Sequence, residues 1–437
     1  MTYRSSHRRV RATLFAPLAA LALLAFTGAT GAALGETDSP SKKECKELIQ
    51  AYLAIGGRSE AGLAERADIR KRLAGVELTR KSDLKSWRKH LLKTWASGPE
   101  LETESVNYLW PDARRGKYLI GGELKKPGAL AICMHGGGLG SGEASSAKAG
   151  YEAAMVEMGW LAVYPEVLEK TECGWTDAGT EEFVLELVDR ALRTWDIDHD
   201  RVYLVGHSMG GYGSWTLGAH HADRVAALGP SAGGPSPLLG PDGQARDIVP
   251  GVIPSLRNVP LVIYQSADDP KVPPDANRVA VKKLEEARAR WGGFDFEYWE
   301  VNGRGHGAPP GGYVAHLQKI AAFERGPLPT KVVWQPELAW KQQFYWLWWE
   351  KPRAKVVLEA EIDRESGTCD VRADKAAYGV SLLLNEELVD MKRELLVRFN
   401  GKEVWRGVPA RSLDVLVSTA VHGDERLMFE ARIQVTR

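Results

Sequence analysis

Three side chains of the 437-residue chain stand in an order that suits acyl transfer: Ser208, Asp269 and His306. Ser208 lies in Gly206-His207-Ser208-Met209-Gly210, directly after the apolar run VYLV and directly before the helical pattern YGSWTLGA. A G-x-S-x-G set between a strand and a helix needs small neighbours, because side chains two residues to either side would collide in so sharp a turn. The turn lifts one hydroxyl clear of the sheet edge, with free helix N–H groups behind it. The alternative is a plain Gly-rich connecting loop. The strand-to-helix context favours the nucleophile.

A serine hydroxyl is a poor nucleophile at neutral pH and needs a base, which in turn needs an orienting carboxylate. The order expected after such an elbow is acid, then His. SADDPKVPP follows the strand pattern LVIYQ, and His306 follows FEYWEVNGRG, 37 residues after Asp269. Asp269 opens the D-P-x-V-P turn and is favoured as the acid. Asp268 is then a solvated or loop-capping carboxylate. His207 reads as a packing or hydrogen-bonding neighbour of Ser208. The adjacent His220 and His221 point to different faces of a helix, which argues against a metal pair. Charge on the tetrahedral oxygen needs two backbone donors. The Met209 N–H is one. The other is expected from MHGGGLGSG, residues 134–142, with Gly137 as first choice and Gly136 and Gly138 close behind. His135 is expected to brace that loop. The loop lacks the G-K-[ST] ending of a phosphate-binding loop and the spacing of a dinucleotide fingerprint. LEKTECGWTDAGT, residues 168–180, is expected to lie over the site, with Trp175 either lining the acyl pocket or acting as a surface anchor.

The elements that must position these residues divide the chain. Residues 36–99 carry three helical patterns, the third opening at a cap-like Ser82, and are expected to cover the following domain. Residues 100–328 alternate apolar strands with amphipathic helices, which describes a mostly parallel sheet covered on both faces. Residues 329–437 begin with an aromatic linker holding Trp334, Trp340, Trp346, Trp348 and Trp349, then turn to period-two patterns with an Asn400-Gly401 hairpin signal. A small β-sandwich is expected there. The clustered Trp rings could form a glycan platform, but beside a domain junction they read better as packing.

Charge is balanced, with 57 basic and 57 acidic side chains, and no like-charge run points to a nucleic-acid partner. Residues 1–35 read as a cleaved signal peptide: basic residues from Arg4 to Arg11, the apolar stretch ATLFAPLAALALLAF, then small residues with cleavage after Ala33 or Gly35. Arg8-Arg9 admits a twin-arginine variant. The apolar stretch falls short of the roughly 20 residues of a membrane anchor. Secretion or a periplasmic location is expected, with no membrane association after cleavage. Cys45, Cys133, Cys173 and Cys369 show no metal-like clustering, and their spacing pairs none of them. Cys133 reads as buried filler. The mechanism calls for no metal or organic cofactor.

HGGG, GHSMGG, DPKVP and GHG, in that order over about residues 100–325, resemble the α/β-hydrolase superfamily. The chain is most similar there to the secreted esterase group that includes polyhydroxybutyrate depolymerase-like and feruloyl esterase-like proteins, with carboxylesterase and prolyl-oligopeptidase-like relatives. The resemblance implies ester hydrolysis through an acyl-enzyme. It implies Ser208 as nucleophile, His306 as base, Asp269 as orienting acid, and Gly137 and Met209 as oxyanion donors. YQSADD stands where relatives often have His-Gly after the strand. The expected substrate is a small or polymeric ester, a feruloyl or acetyl ester of plant polysaccharide or a polyester, with the C-terminal β domain meeting the polymer surface. Two other readings remain: a prolyl-oligopeptidase-like peptidase, whose usual propeller has no counterpart here, and a glycan-binding protein with a vestigial hydrolase domain.

Overall fold

Apolar side chains alternate between two cores along the strand Leu130–Met134. Leu130, Ile132 and Met134 join one cluster, and Ala131 and Cys133 the other. A strand buried on both faces belongs inside a layered sheet. The structure, a computed structural model, describes residues 39–56 and 60–436. The leader reading of residues 1–35 therefore lies outside the described residues.

The helices α1 (Lys42–Ala54), α2 (Glu60–Leu73) and α3 (Lys81–Ala96) come first. Ser41 and Glu44 close a reciprocal capping box at the start of α1. Ser82 is not a cap, contrary to expectation. Arg80 holds the cap position of α3 and pairs with Asp83 at 2.8 Å.

The strands β1 (Asn107–Trp110), β2 (Arg115–Gly122), β3 (Leu130–Met134) and β4 (Leu161–Pro165) follow, with α4 (Ala144–Met158) before β4. Next come α5 (Thr180–Thr194), β5 (Val202–His207), α6 (Met209–His220) and β6 (Ala227–Ser231). A hairpin of β7 (Pro237–Leu239) and β8 (Ala245–Ile248) leads to β9 (Leu261–Ser266), α7 (Asp275–Trp291), β10 (Phe296–Val301) and α8 (Gly312–Ile320). Eight of these strands form one sheet in the order β1-β2-β4-β3-β5-β6-β9-β10. Only β2 runs against its neighbours β1 and β4; from β4 to β10 every pair is parallel. Helices α5, α6 and α7 fill one face, and α4 and α8 the other.

The remaining strands are β11 (Lys331–Trp334), β12 (Gln343–Phe344), β13 (Leu347–Trp349), β14 (Leu358–Asp363) and β15 (Thr368–Ala373). They continue with β16 (Val380–Leu384), β17 (Leu395–Phe399), β18 (Lys402–Gly407) and β19 (Ala431–Gln434), with α9 (Leu413–Ser418) before the last. They make two sheets, β11-β14-β15-β17-β18 and β12-β13-β16-β19, whose apolar side chains share one core. The β17–β18 hairpin turns at Asn400 and Gly401, both at positive φ, as that dipeptide demands. Trp334, Trp346, Trp348 and Trp349 are buried in this part and offer no ring face to a glycan. Trp348 lies between the guanidinium groups of Arg70 and Arg432, at 4.9 and 4.4 Å.

Two packing relations were not foreseen. The helices α1–α3 share most of their apolar core with α9 and Met428, while Trp95 at the end of α3 joins the core of the parallel sheet and lies under Arg193 of α5. The contact extends to the backbone, where Leu78 N–H donates to the Arg411 oxygen at 3.1 Å. The C-terminal sheets, for their part, attach where the parallel strands begin. Lys341 pairs with Asp223, Arg325 with Asp424, and the Tyr345 hydroxyl donates to the Ala222 oxygen at 2.8 Å. The Lys331 oxygen accepts from Arg257 and Asn258, just ahead of β9.

Candidate active site

The chain reverses direction at Ser208 with little room to spare. Ser208 has φ 61° and ψ −124°, a conformation that costs a non-glycine residue about 1–3 kcal/mol. Its N–H donates to the Ser231 oxygen at 2.9 Å, and its own oxygen accepts from Gly211 and Tyr212 at 2.8 and 3.1 Å. The glycines around it are required by close approach. A methyl group on Gly206 would sit 2.2 Å from the Gly210 oxygen, and one on Gly210 would sit 2.1 Å from the Met134 oxygen. Gly233, after β6, would meet the Ser208 oxygen at 2.1 Å. The strain is therefore held by three strands and the first turn of α6.

The loops after β9 and β10 bring Asp269 to His306. His306 Nδ1 lies 2.7 Å from Asp269 Oδ2. Asp269 Oδ1 accepts from the Lys271 and Val272 N–H groups at 2.9 and 3.0 Å, so the D-P-x-V-P turn locks the carboxylate from behind. The Asp269 side chain is fully buried, and that of His306 is 15% exposed. Asp268 does something else. Its Oδ1 accepts from the Ser266 hydroxyl and from the Gly303 and Gly305 N–H groups, tying the acid loop to the loop that carries His306. The Ser266 hydroxyl, ahead of those amides, holds the exposed Asp268 carboxyl below its ordinary pKa.

The loop after β3 crosses in front of the elbow. A methyl on Gly136 would approach Ser208 Cβ to 3.0 Å. His135 is buried, and burial lowers its pKa, so the ring is neutral near pH 7. Its Nε2 accepts from the Val167 N–H at 3.2 Å, which leaves Nδ1 to donate to the Gly136 oxygen at 2.9 Å. In a trans peptide the N–H points opposite the C=O. Anchoring the Gly136 carbonyl on His135 thus turns the Gly137 N–H the other way. Gly140 N–H donates to the Lys170 oxygen at 2.8 Å and Leu139 N–H to Glu172, so the loop is pinned along its length. Met209 opens α6, where first-turn amides have no intrahelical acceptor.

Trp175 does not line a pocket. It is fully buried, donates from Nε1 to the His135 oxygen at 3.2 Å, and packs on the His135 ring at 4.9 Å. It also fills the space a side chain at Gly213 would take. Buried against His135 and Gly213, it supports the glycine loop from within.

A second set of buried polar groups links the site from below. Asn277 donates to the Gln265 amide oxygen at 2.8 Å, Gln265 donates to the Val272 oxygen, and Trp215 donates to Asn277. One signal for this set was in the sequence: Gln265 interrupts the apolar run of β9 with a polar side chain. The four cysteines are free, and Cys133 is buried among apolar neighbours. Among the described residues, no group of His, Cys, Asp and Glu is arranged to hold a metal ion, and no helix is long and apolar enough to cross a membrane.

The strand order, the strained Ser208 between β5 and α6, and the Asp269 and His306 loops after β9 and β10 together define an α/β-hydrolase fold. No protein-family profile matches the chain, and no curated protein matches it. Among solved structures it is similar to a thermostable esterase, with 20% identity and a TM-score of 0.36 over 48% of this chain and 60% of that one. The chain therefore spans about three-fifths of that esterase's length. It is also similar to Est1E from Butyrivibrio proteoclasticus (16% identity, TM-score 0.37, 50% of this chain and 100% of that one). A third similar structure is a CE1 ferulic acid esterase from Anaeromyces mucronatus (17% identity, TM-score 0.34, 51% and 93%).

Proposed function

We propose that the protein is a serine hydrolase that cleaves carboxylic esters through an acyl-enzyme. One observation carries the reading: the strained Ser208 and the Asp269–His306 pair, 2.7 Å apart, stand on strand ends of one sheet edge. In this reading Asp269 holds the His306 Nδ1–H, so Nε2 is free to take the Ser208 proton as Oγ attacks the ester carbonyl. The tetrahedral oxygen is met by the Gly137 and Met209 N–H groups. His306 returns the proton to the leaving alcohol, and water then repeats the sequence in reverse to release the acid.

Exposed Leu139 follows β3, and exposed Leu238 and Leu239 follow β6, on either side of β5 in the sheet. An apolar group on the substrate suits that rim. Feruloyl, acetyl and polyester substrates all fit this class. With it go the readings of residues 1–35 as an export signal and of the C-terminal β part as a contact for polymer surfaces. Hydrolysis of p-nitrophenyl acetate, p-nitrophenyl butyrate, a feruloyl ester and a polyester film by wild type and Ser208→Ala tests the activity. Absence of turnover, or equal turnover by the two proteins, overturns it. A peptide panel cleaved faster than esters would replace it with the peptidase reading.

A further inference from the structure

His207 stands beside Ser208, and its ring takes no part in the chemistry assigned to Ser208, Asp269 and His306. It bonds in two directions. Nε2 lies 3.2 Å from the backbone oxygen of His306, and Nδ1 lies 3.1 Å from Ser231 Oγ. A carbonyl only accepts, so Nε2 carries the proton. Burial, and then the nearby His306, hold the His207 pKa down to about 4. Near neutral pH, therefore, Nδ1 is bare and accepts from the Ser231 hydroxyl. That hydroxyl also meets the Tyr313 hydroxyl. The Ser231 backbone oxygen meanwhile receives the Ser208 N–H. The two imidazole rings lie 4.8 Å apart at 53°, so His207 also packs against His306.

The loop carrying His306 is thus pinned from two sides. Asp268 sets Gly303 and Gly305 from the acid loop, and His207 sets His306 itself from the elbow. Without the second tie, Asp268 and Ser266 still hold the loop ahead of His306 and Asp269 still holds one ring nitrogen, but the His306 backbone loses its anchor to the elbow, and the opposite ring nitrogen is the one that must meet Ser208. We propose that His207 is a positioning residue for the general base, fixing the spacing between His306 and Ser208 by donating its Nε2–H to the His306 carbonyl. The proposal rests on the reading of Ser208 as the nucleophile.

The test compares wild type, His207→Gln, His207→Ala and Ser231→Ala in p-nitrophenyl acetate hydrolysis, in phosphonylation by a p-nitrophenyl alkylphosphonate and in thermal melting. His207→Ala is expected to lose about 10- to 100-fold in kcat and in phosphonylation rate, with KM within about twofold of wild type. His207→Gln, whose amide N–H reaches the same carbonyl, is expected to recover most of the loss, and Ser231→Ala to fall between. Wild-type kcat in His207→Ala, a change confined to KM, or a Gln variant no better than the Ala variant at equal Tm overturns the proposal. If His207→Ala is unfolded at the assay temperature, wild-type kcat in both of the other variants overturns it, and graded losses at retained Tm support it. Failure of wild type to react with the phosphonate sinks the nucleophile reading instead, which separates the two.

Discussion

At the C-terminal ends of β5, β9 and β10 stand Ser208, Asp269 and His306, with a strained backbone and a loop of bare glycines. At the N-terminal ends of β5, β6 and β9 stand Asp200, Asp223, Arg224, Arg325 and Arg257, each in contact with an opposite charge or a carbonyl. On the first edge His306 keeps some exposure, with Asp269 buried behind it. The polar groups on the second are buried or half-buried and, save for Arg224 Nη1, paired where the C-terminal β part meets them. Asp189 shows the contrast most clearly. Burial would raise its pKa, but Arg224 and then His422 hold it well below the usual range. The accessory sheets therefore attach to the back of the sheet, and rate and stability should respond to different residues.

The largest effects are expected at the front edge. Ser208→Ala should lower kcat by about 10⁴-fold or more, and Asp269→Asn by about 10⁴-fold, in p-nitrophenyl ester assays. Asp268→Asn should cost at least about 100-fold less than Asp269→Asn, since it loosens a loop and does not strand the base. Equal losses in the two Asn variants would erase the distinction between them.

At the back edge, Arg325→Ala strips the buried partner from both Asp200 and Asp424. It should lower the unfolding free energy by about 3–5 kcal/mol, measured by urea denaturation. The kcat of the folded fraction should stay at the wild-type value. A fall in kcat would show that the two edges are coupled.

Acid should load both edges. Burial first holds His207, His221 and His316 down to about 4. An unfolded His titrates near 6.5, so between about pH 6.5 and 4 the unfolded chain binds protons that the folded one does not. Each such group removes up to about 1.4 kcal/mol per pH unit as pH falls through that window, and nothing above it. Tm should be level from pH 8 to 7 and fall steadily below 6.5. Glu181 titrates lower: burial raises its pKa, but His220 and His221 pull it down to about 2. Its contribution is lost only as pH falls from about 4.5 towards that value. The smallest effect is expected at the support of the glycine loop. Trp175→Phe keeps the packing and loses one hydrogen bond, for about 1 kcal/mol by thermal melting.

The front edge was legible in the sequence because its geometry is local. A tight turn demands glycines at fixed offsets from Ser208, and an Asp that opens D-P-x-V-P can close its own turn. The back edge was not legible, because nothing near Asp223 in the chain says that Lys341 will meet it. The same limit explains Trp175, whose burial depends on how residues 168–180 fold against the loop, and α1–α3, whose apolar stripes fit any partner of the right shape. His207 falls between these cases. Its position marked it as a neighbour of Ser208, but its bond to His306 spans 99 residues.

The pairing of α1–α3 with α9 has a consequence for biosynthesis. Leu78 and Arg411 are joined by a backbone hydrogen bond, and the apolar faces of the first three helices close on Leu413, Leu416 and Val417. The helices are made before their partner, which follows more than 300 residues later. At ribosomal speeds of about 5–20 residues per second, the segment that completes this core follows tens of seconds after the helices are made.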